Sequence, residues 1–139
     1  MDSERPAHEL KNATEQAFKK LKDCFGIRQG SPKQIVLTIE NTVSEMWKEG
    51  WSPKESSLNL FTTNFGLVLA DAIHEGFGGV GIFRSTTDLN HYSLWWRCCK
   101  IEIFPFHKMH KRLIHASGEN LCYFFQGMQE YLAVGENET

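Results

Sequence analysis

At 139 residues and a formal net charge of −2, the chain is long enough for one domain with a real core, and it has no general pull toward nucleic acid or an anionic membrane. Its composition, 41% hydrophobic and 23% charged, is that of an ordinary globular protein. The opening residues lack the apolar centre of a secretory signal, and no apolar run approaches the roughly 20 residues of a membrane span. A cytoplasmic, non-membrane protein is therefore expected, with Cys24, Cys98, Cys99 and Cys122 as reduced thiols and one domain over 1–139 whose ends, 1–5 and 135–139, are frayed.

The first predicted helix runs from about Pro6 to Cys24, with Leu10, Ala13, Ala17 and Leu21 on one side. Gly26 is suited to end it, after which Ile27 folds back onto Leu21. Ser31-Pro32-Lys33-Gln34 reads as a helix start, with Ser as the cap, Pro at the first helical position and Gln reaching back. The second helix follows, with the stripe Ile35, Ile39, Val43 and Met46, and ends at Gly50, where Trp51 covers Met46 or Trp47. Ser52-Pro53-Lys54-Glu55 repeats the capping pattern and opens the most regular element, a third helix with Leu58, Phe61, Phe65, Val68, Leu69, Ala72 and Ile73 as its stripe. Leu60 and Leu67 lie roughly opposite that stripe, so this helix is expected to be covered on two sides.

After Gly76-Phe77-Gly78-Gly79 the apolar period changes from 3.6 to 2. Val80–Arg84, His91–Arg97 and Cys99–Ile103 read as strands, with 85–90 as a loop, and together they form a three-stranded antiparallel meander. One long bent strand is the alternative at Arg97–Lys100, because that turn holds no Gly or Asn. Pro105 stops the third strand and opens a fourth helix, Phe106–Ala116, with Phe106, Met109, Leu113 and Ala116 toward the core. A fifth helix spans Glu119 to about Ala133. The order of three helices, three strands and two helices makes an α+β fold.

Ile103-Phe104-Pro105-Phe106 followed by Lys111-Arg112-Leu113, together with the mid-helix glycine of Asn64-Phe65-Gly66, resembles a family of small, mostly bacterial α+β domains of unknown function. The resemblance covers 61–112. It implies the same helix, meander and strand–Pro–helix order, and it brings no activity. The tryptophan usual in that family just after the central helix is replaced here by Gly79-Val80.

Charge is unevenly distributed. From Arg97 to Arg112 there are five Lys or Arg and one acid, Glu102, while the rest of the chain has ten basic and sixteen acidic residues. A helical wheel puts Lys108, Lys111, Arg112 and His115 opposite the core stripe of the fourth helix, with His107 at the edge. Strand alternation puts Trp95 and Arg97 on the face opposite Tyr92, Leu94 and Trp96, and exposed Trp and Arg are the residue types that anchor interfaces. These positions, Trp95, Arg97, His107, Lys108, Lys111 and Arg112, form the expected partner-binding set. The expected partner is another protein with an acidic surface; homo-oligomerisation through Leu60 and Leu67 is an alternative. Duplex nucleic acid fits poorly, because no recognition motif is present and the basic count is small against the phosphate contacts required.

Cys98, Cys99, His107 and His110 carry zinc-type ligands in a spacing that suits no standard site, since adjacent cysteines on a strand point to opposite faces. Asp71 and His74, one helical turn apart and beside Glu75, lack a placed nucleophile. The Gly76–Gly81 run follows a helix and precedes a strand, the reverse of a phosphate loop, and reads as a helix end and a close helix–strand approach. No cofactor or resident metal is expected. The reading is a small non-enzymatic protein-binding module, of an inhibitor or immunity type, with a small metal-binding or hydrolytic enzyme built on residues 98–110 as the alternative.

Overall fold

The computed structural model describes residues 3–4, 8–83, 92–97, 99–116 and 118–137. The elements are β1 (Ser3–Glu4), α1 (His8–Phe25), α2 (Pro32–Lys48), α3 (Glu55–Phe77), β2 (Val80–Phe83), β3 (Tyr92–Trp96), β4 (Ile101–Ile103), α4 (Pro105–Ile114) and α5 (Leu121–Asn137). The strands form one antiparallel sheet in the order β1-β2-β3-β4, so the α+β class and the meander are both present. Arg84, the 85–90 loop, His91 and Cys98 lie outside the described residues. Two-residue β1 pairs with β2, Ser3 opposite Phe83 and Glu4 opposite Ile82, where the sequence reading expects a frayed end. At the other terminus α5 runs on to Asn137.

The helix ends follow local chemistry. Ser31 caps α2, its hydroxyl accepting from the Gln34 amide at 3.3 Å while the Gln34 side chain accepts from the Ser31 amide at 3.0 Å. Gly50, at φ +93°, closes α2 with paired reverse bonds, Gly50 N–H to Trp47 O at 3.2 Å and Trp51 N–H to Met46 O at 2.9 Å. The Trp51 ring then sits edge-on to Trp47, with centroids 5.6 Å apart, and packs against Phe61 at 5.8 Å.

That double attachment displaces the start of α3. Helix α3 starts at Glu55, with Lys54 extended before it and no side-chain cap, so Ser52 and Pro53 are outside the helix. Trp51 is held by the end of α2, and residues 51–54 carry the chain to the start of α3 before the helix turns. The cap position expected at Ser52 is taken by Lys54 instead.

Helix α3 is the spine. Phe65, Val68, Leu69, Ala72 and Ile73 are fully buried, and Leu67 and Ala70 on the other side are buried too, so two sides are covered. Helices α1 and α2 pack on it, and so does α4. Gly66 lets α4 come close: a Cβ there would lie 2.5 Å from the Phe106 ring. Leu67 is 5% exposed and Leu60 55%, so the expected oligomer pair is divided between core and solvent.

Strand β2 follows the end of α3 directly, after two glycines. The φ of +77° at Gly78 and +92° at Gly79 turns the chain from helix to strand, and a Cβ on Gly79 would meet the Trp96 ring at 2.9 Å. Trp96 Nε1 donates to Phe77 O at 2.8 Å, binding the sheet to the helix terminus. The turn from β3 to β4 exists despite its lack of glycine, with Lys100 taking the left-handed conformation at φ +54°.

Candidate functional site

Helix α4 carries most of the candidate residues. Pro105 opens it at a position where a missing N–H costs nothing, and Phe106, Met109 and Leu113 anchor it in the core. Its register then fixes the rest. His107, Lys111 and His115 are exposed, and Lys108 and His110 are half-buried.

Arg112 does not belong to the outer face. It is 2% exposed and its guanidinium is bound on every nitrogen. Nε donates to Glu40 Oε1 and Nη2 to Glu40 Oε2, both at 2.8 Å, in a bidentate pair; Nη2 also donates to Ser44 Oγ at 2.9 Å, and Nη1 to His115 O at 2.8 Å. Glu40 is itself buried on α2 and accepts the Leu121 amide at 2.9 Å, so it also fills a vacant donor at the start of α5. One ion pair thus ties α2, α4 and α5. Burial alone would raise the Glu40 carboxyl; the hydrogen bonds from Arg112 and Leu121, the Arg112 charge and Ser44 outweigh it and hold the group below its usual value. The same node reaches Cys122, whose thiol is pushed up by burial and then by the Glu40 charge.

The sequence signal for this pair is subtle but present. Glu40 sits one helical turn after buried Val36 and just before Val43, an acid on an apolar stripe, and Arg112 lies between Met109 and Leu113. A charge on a core face calls for an opposite charge on a core face.

Lys108 is also committed within the chain. Its Nζ is 3.1 Å from Glu119 Oε2 and 4.9 Å from the centre of the Phe124 ring. The Lys108 hydrogen bond lowers the Glu119 carboxyl, and its charge, together with those of Lys111 and His115, adds to the effect. Among the described residues Lys111 has no ion pair, and neither has Arg97.

Trp95 does not join this face. Tyr92, on the opposite strand face, meets Phe106 of α4 edge-on with centroids 6.0 Å apart. Alternation therefore turns Trp95 away from α4, beside its cross-strand partners Val80 and Glu102. Trp95 is half-buried, Val80 and Arg97 are exposed, and Ser93 on the same face is fully buried with its hydroxyl 2.9 Å from Glu102 Oε2. The expected partner-binding set thus becomes an α4 face with His107 and Lys111, a sheet face with Trp95 and Arg97, and an internal Arg112.

The other clusters have little shared geometry. Among the described residues no three His, Cys, Asp or Glu side chains are grouped to hold a metal ion. His107 faces solvent, while His110 and Cys99 are half-buried. Asp71 is half-buried, with its carboxyl pushed up by burial and by Glu75 and drawn down by His74; His74 and Glu75 are exposed. Burial and the nearby Asp71 charge push the Tyr92 hydroxyl up to about 12. An open groove of about 550 Å³ also lies between α1 and the loop after it, lined by Glu15, Lys19, Lys22 and Arg28 together with Phe18 and Ile27.

These features define an α+β domain with a small antiparallel sheet, a buried ion-pair node, exposed basic residues on α4, and a half-buried Trp95 beside exposed Arg97 on the strand face turned away from α4. Comparison with protein-family models, with curated proteins and with solved structures finds no match. No helix among the described residues is long and apolar enough to cross a membrane.

Proposed function

We propose that the protein is a small non-enzymatic binding module that docks another protein with an acidic surface through the outer face of α4. The observation that carries this reading is the partition of charge on that helix. Arg112 and Lys108 are matched internally by Glu40 and Glu119, while Lys111, with His107 and His115, faces water. An unmatched cation on a rigid helix steers an acidic partner and sets its orientation. Trp95 and Arg97 are a second anchor, on the far side of the sheet, for a partner large enough to reach around its edge. An inhibitor or immunity-type role suits a module of this size; the resemblance to small, mostly bacterial domains supports a bacterial source, and the free Cys24, Cys99 and Cys122 support a reducing, cytoplasmic setting.

The test is affinity capture from the source cell with wild-type protein, the double variant H107E/K111E and W95A, at low and raised salt. An acidic partner that is lost with H107E/K111E and weakened by salt is expected. No specific partner, or a partner held equally by both variants, would overturn the proposal.

A further inference from the structure

Three glycines lie within helices with their surroundings described, and two are explained within the chain. A Cβ on Gly66 would strike Phe106, and one on Gly76 would press on Phe125 at 3.2 Å. Gly127, in the middle of α5, is different: a Cβ there would meet nothing within 4 Å. Glycine is among the most costly residues in a helix interior, and here no neighbour in the same chain requires it.

Its flanks are equally out of place for a solvated helix face. One turn before and one turn after it stand Tyr123, 76% exposed, and Tyr131, 61% exposed, on the same side as Gly127. The buried side of α5 is formed by Leu121, Phe125, Met128 and Leu132, so the tyrosines take no part in this chain's core. Around them Gln126 and Glu130 are the exposed polar residues, and no Lys or Arg occurs anywhere in α5. Exposed tyrosines around a charge-poor centre with a polar rim are the composition of an interface core.

We propose that this face is a self-association surface on which α5 of a second copy crosses α5 at Gly127. The Tyr–Gly–Tyr pattern is symmetric about Gly127, so it complements itself under a two-fold rotation that sets the helices antiparallel. Each tyrosine stands about 6 Å along the axis from the crossing point, which brings Tyr123 of one copy beside Tyr131 of the other. The missing Cβ lets the two backbones approach. The two Glu130 carboxylates fall about 9 Å apart along the axis, near the screening length at physiological salt, so their repulsion is mild and fades as salt rises.

The area sets the strength. The tyrosines offer roughly 250–300 Å² per copy, and with their neighbours the total stays below the ~1,200 Å² that bounds weak, transient contacts. The second copy is therefore held weakly and reversibly, and concentration controls it.

Sedimentation equilibrium of the full chain up to about 1 mM tests this, at low and high salt. A reversible dimer is expected that holds or tightens with salt, the opposite of docking at α4. G127Q should weaken it at least tenfold while the monomer's melting temperature rises, because the added side chain enters open space and improves the helix. Y123S with Y131S should abolish it without unfolding the protein. Monomer at every concentration would overturn the proposal. So would a dimer unaffected by G127Q and by Y123S/Y131S, or a G127Q monomer that melts earlier than wild type, which would give Gly127 a role inside the fold.

Discussion

Lys111 and Arg112 are adjacent in the chain and have opposite fates. Lys111 is exposed without an ion pair among the described residues, whereas Arg112 is sealed in the core, with Glu40 gripping it from two oxygens. One step along a helix is a rotation of about 100°, enough to carry a side chain from solvent to core. The lesson is that a run of positive charge is not a surface property until each cation has been placed. Counted in the sequence, the segment from Arg97 to Arg112 is strongly basic; in the fold, part of that charge is structural cement. A buried pair of this kind is weak proof of net stability against a well-packed apolar alternative, but it is costly to break on one side only.

The largest effect is expected from removing one partner of the pair. Arg112→Met should cost about 3–5 kcal/mol in denaturant unfolding, because Glu40 is left charged, buried and without its fork. A loss under about 1 kcal/mol would mean that Arg112 samples solvent and belongs with Lys111 after all.

Gly66 comes next. Gly66→Ala puts a methyl 2.5 Å from the Phe106 ring, which holds α4 against α3. Overpacking there should cost about 1–3 kcal/mol, beyond any gain from alanine's better helix propensity. An alanine variant as stable as wild type would show that α4 can shift outward, and that the register burying Arg112 is soft.

The pH dependence of stability reads the state of the Glu40–Arg112 pair directly. Glu40 titrates below its unfolded value of 4.5 in the folded protein, so its contribution is present above that value and is lost as pH falls from there through the lowered folded pKa. Asp71 has the opposite sign: its carboxyl is raised by burial, so protonation favours the folded state as acid is added. Wild-type protein should lose stability on acidification below about pH 4.5, and the slope should flatten in Arg112→Met, which has already lost the pair. Unfolding curves at several pH values in the presence of constant salt measure it; parallel slopes in the two proteins would count against Glu40 as the acid-sensitive group.

The smallest effect belongs to Lys111. Lys111→Glu should change stability by under about 0.5 kcal/mol, since an exposed charge with no partner contributes little. Its consequence should appear in partner binding alone. A large loss of stability in this variant would place Lys111 in the structural network and remove the α4 face as a docking surface.

Much of the fold was legible in the sequence because it is written locally. The Ser31 cap, the glycine stops at Gly26 and Gly50, and the change of apolar period after Gly79 rest on short-range backbone chemistry, and each appears as expected. The burial of α3 on two sides was readable from its own apolar pattern. The start of α3 was not, because Trp51 is held by α2 and by Phe61, and no capping motif carries that information. Strand β1 was equally hidden, since two polar residues become a strand only when an edge is there to pair with.

For the candidate site, the sequence alone determined which residue types stand on α4 and β3, and that they alternate between inward and outward positions. Which outward positions are truly outward depends on contacts between distant elements. Glu40 and Arg112 are 72 residues apart, and their meeting depends on how α2 and α4 both pack against α3. Trp95 and Lys111 lie close in sequence yet face opposite sides of the sheet, because Phe106 brings α4 against the Tyr92 face. Helix and strand periodicity is a property of neighbouring residues, whereas the matching of a buried charge depends on contacts between distant ones.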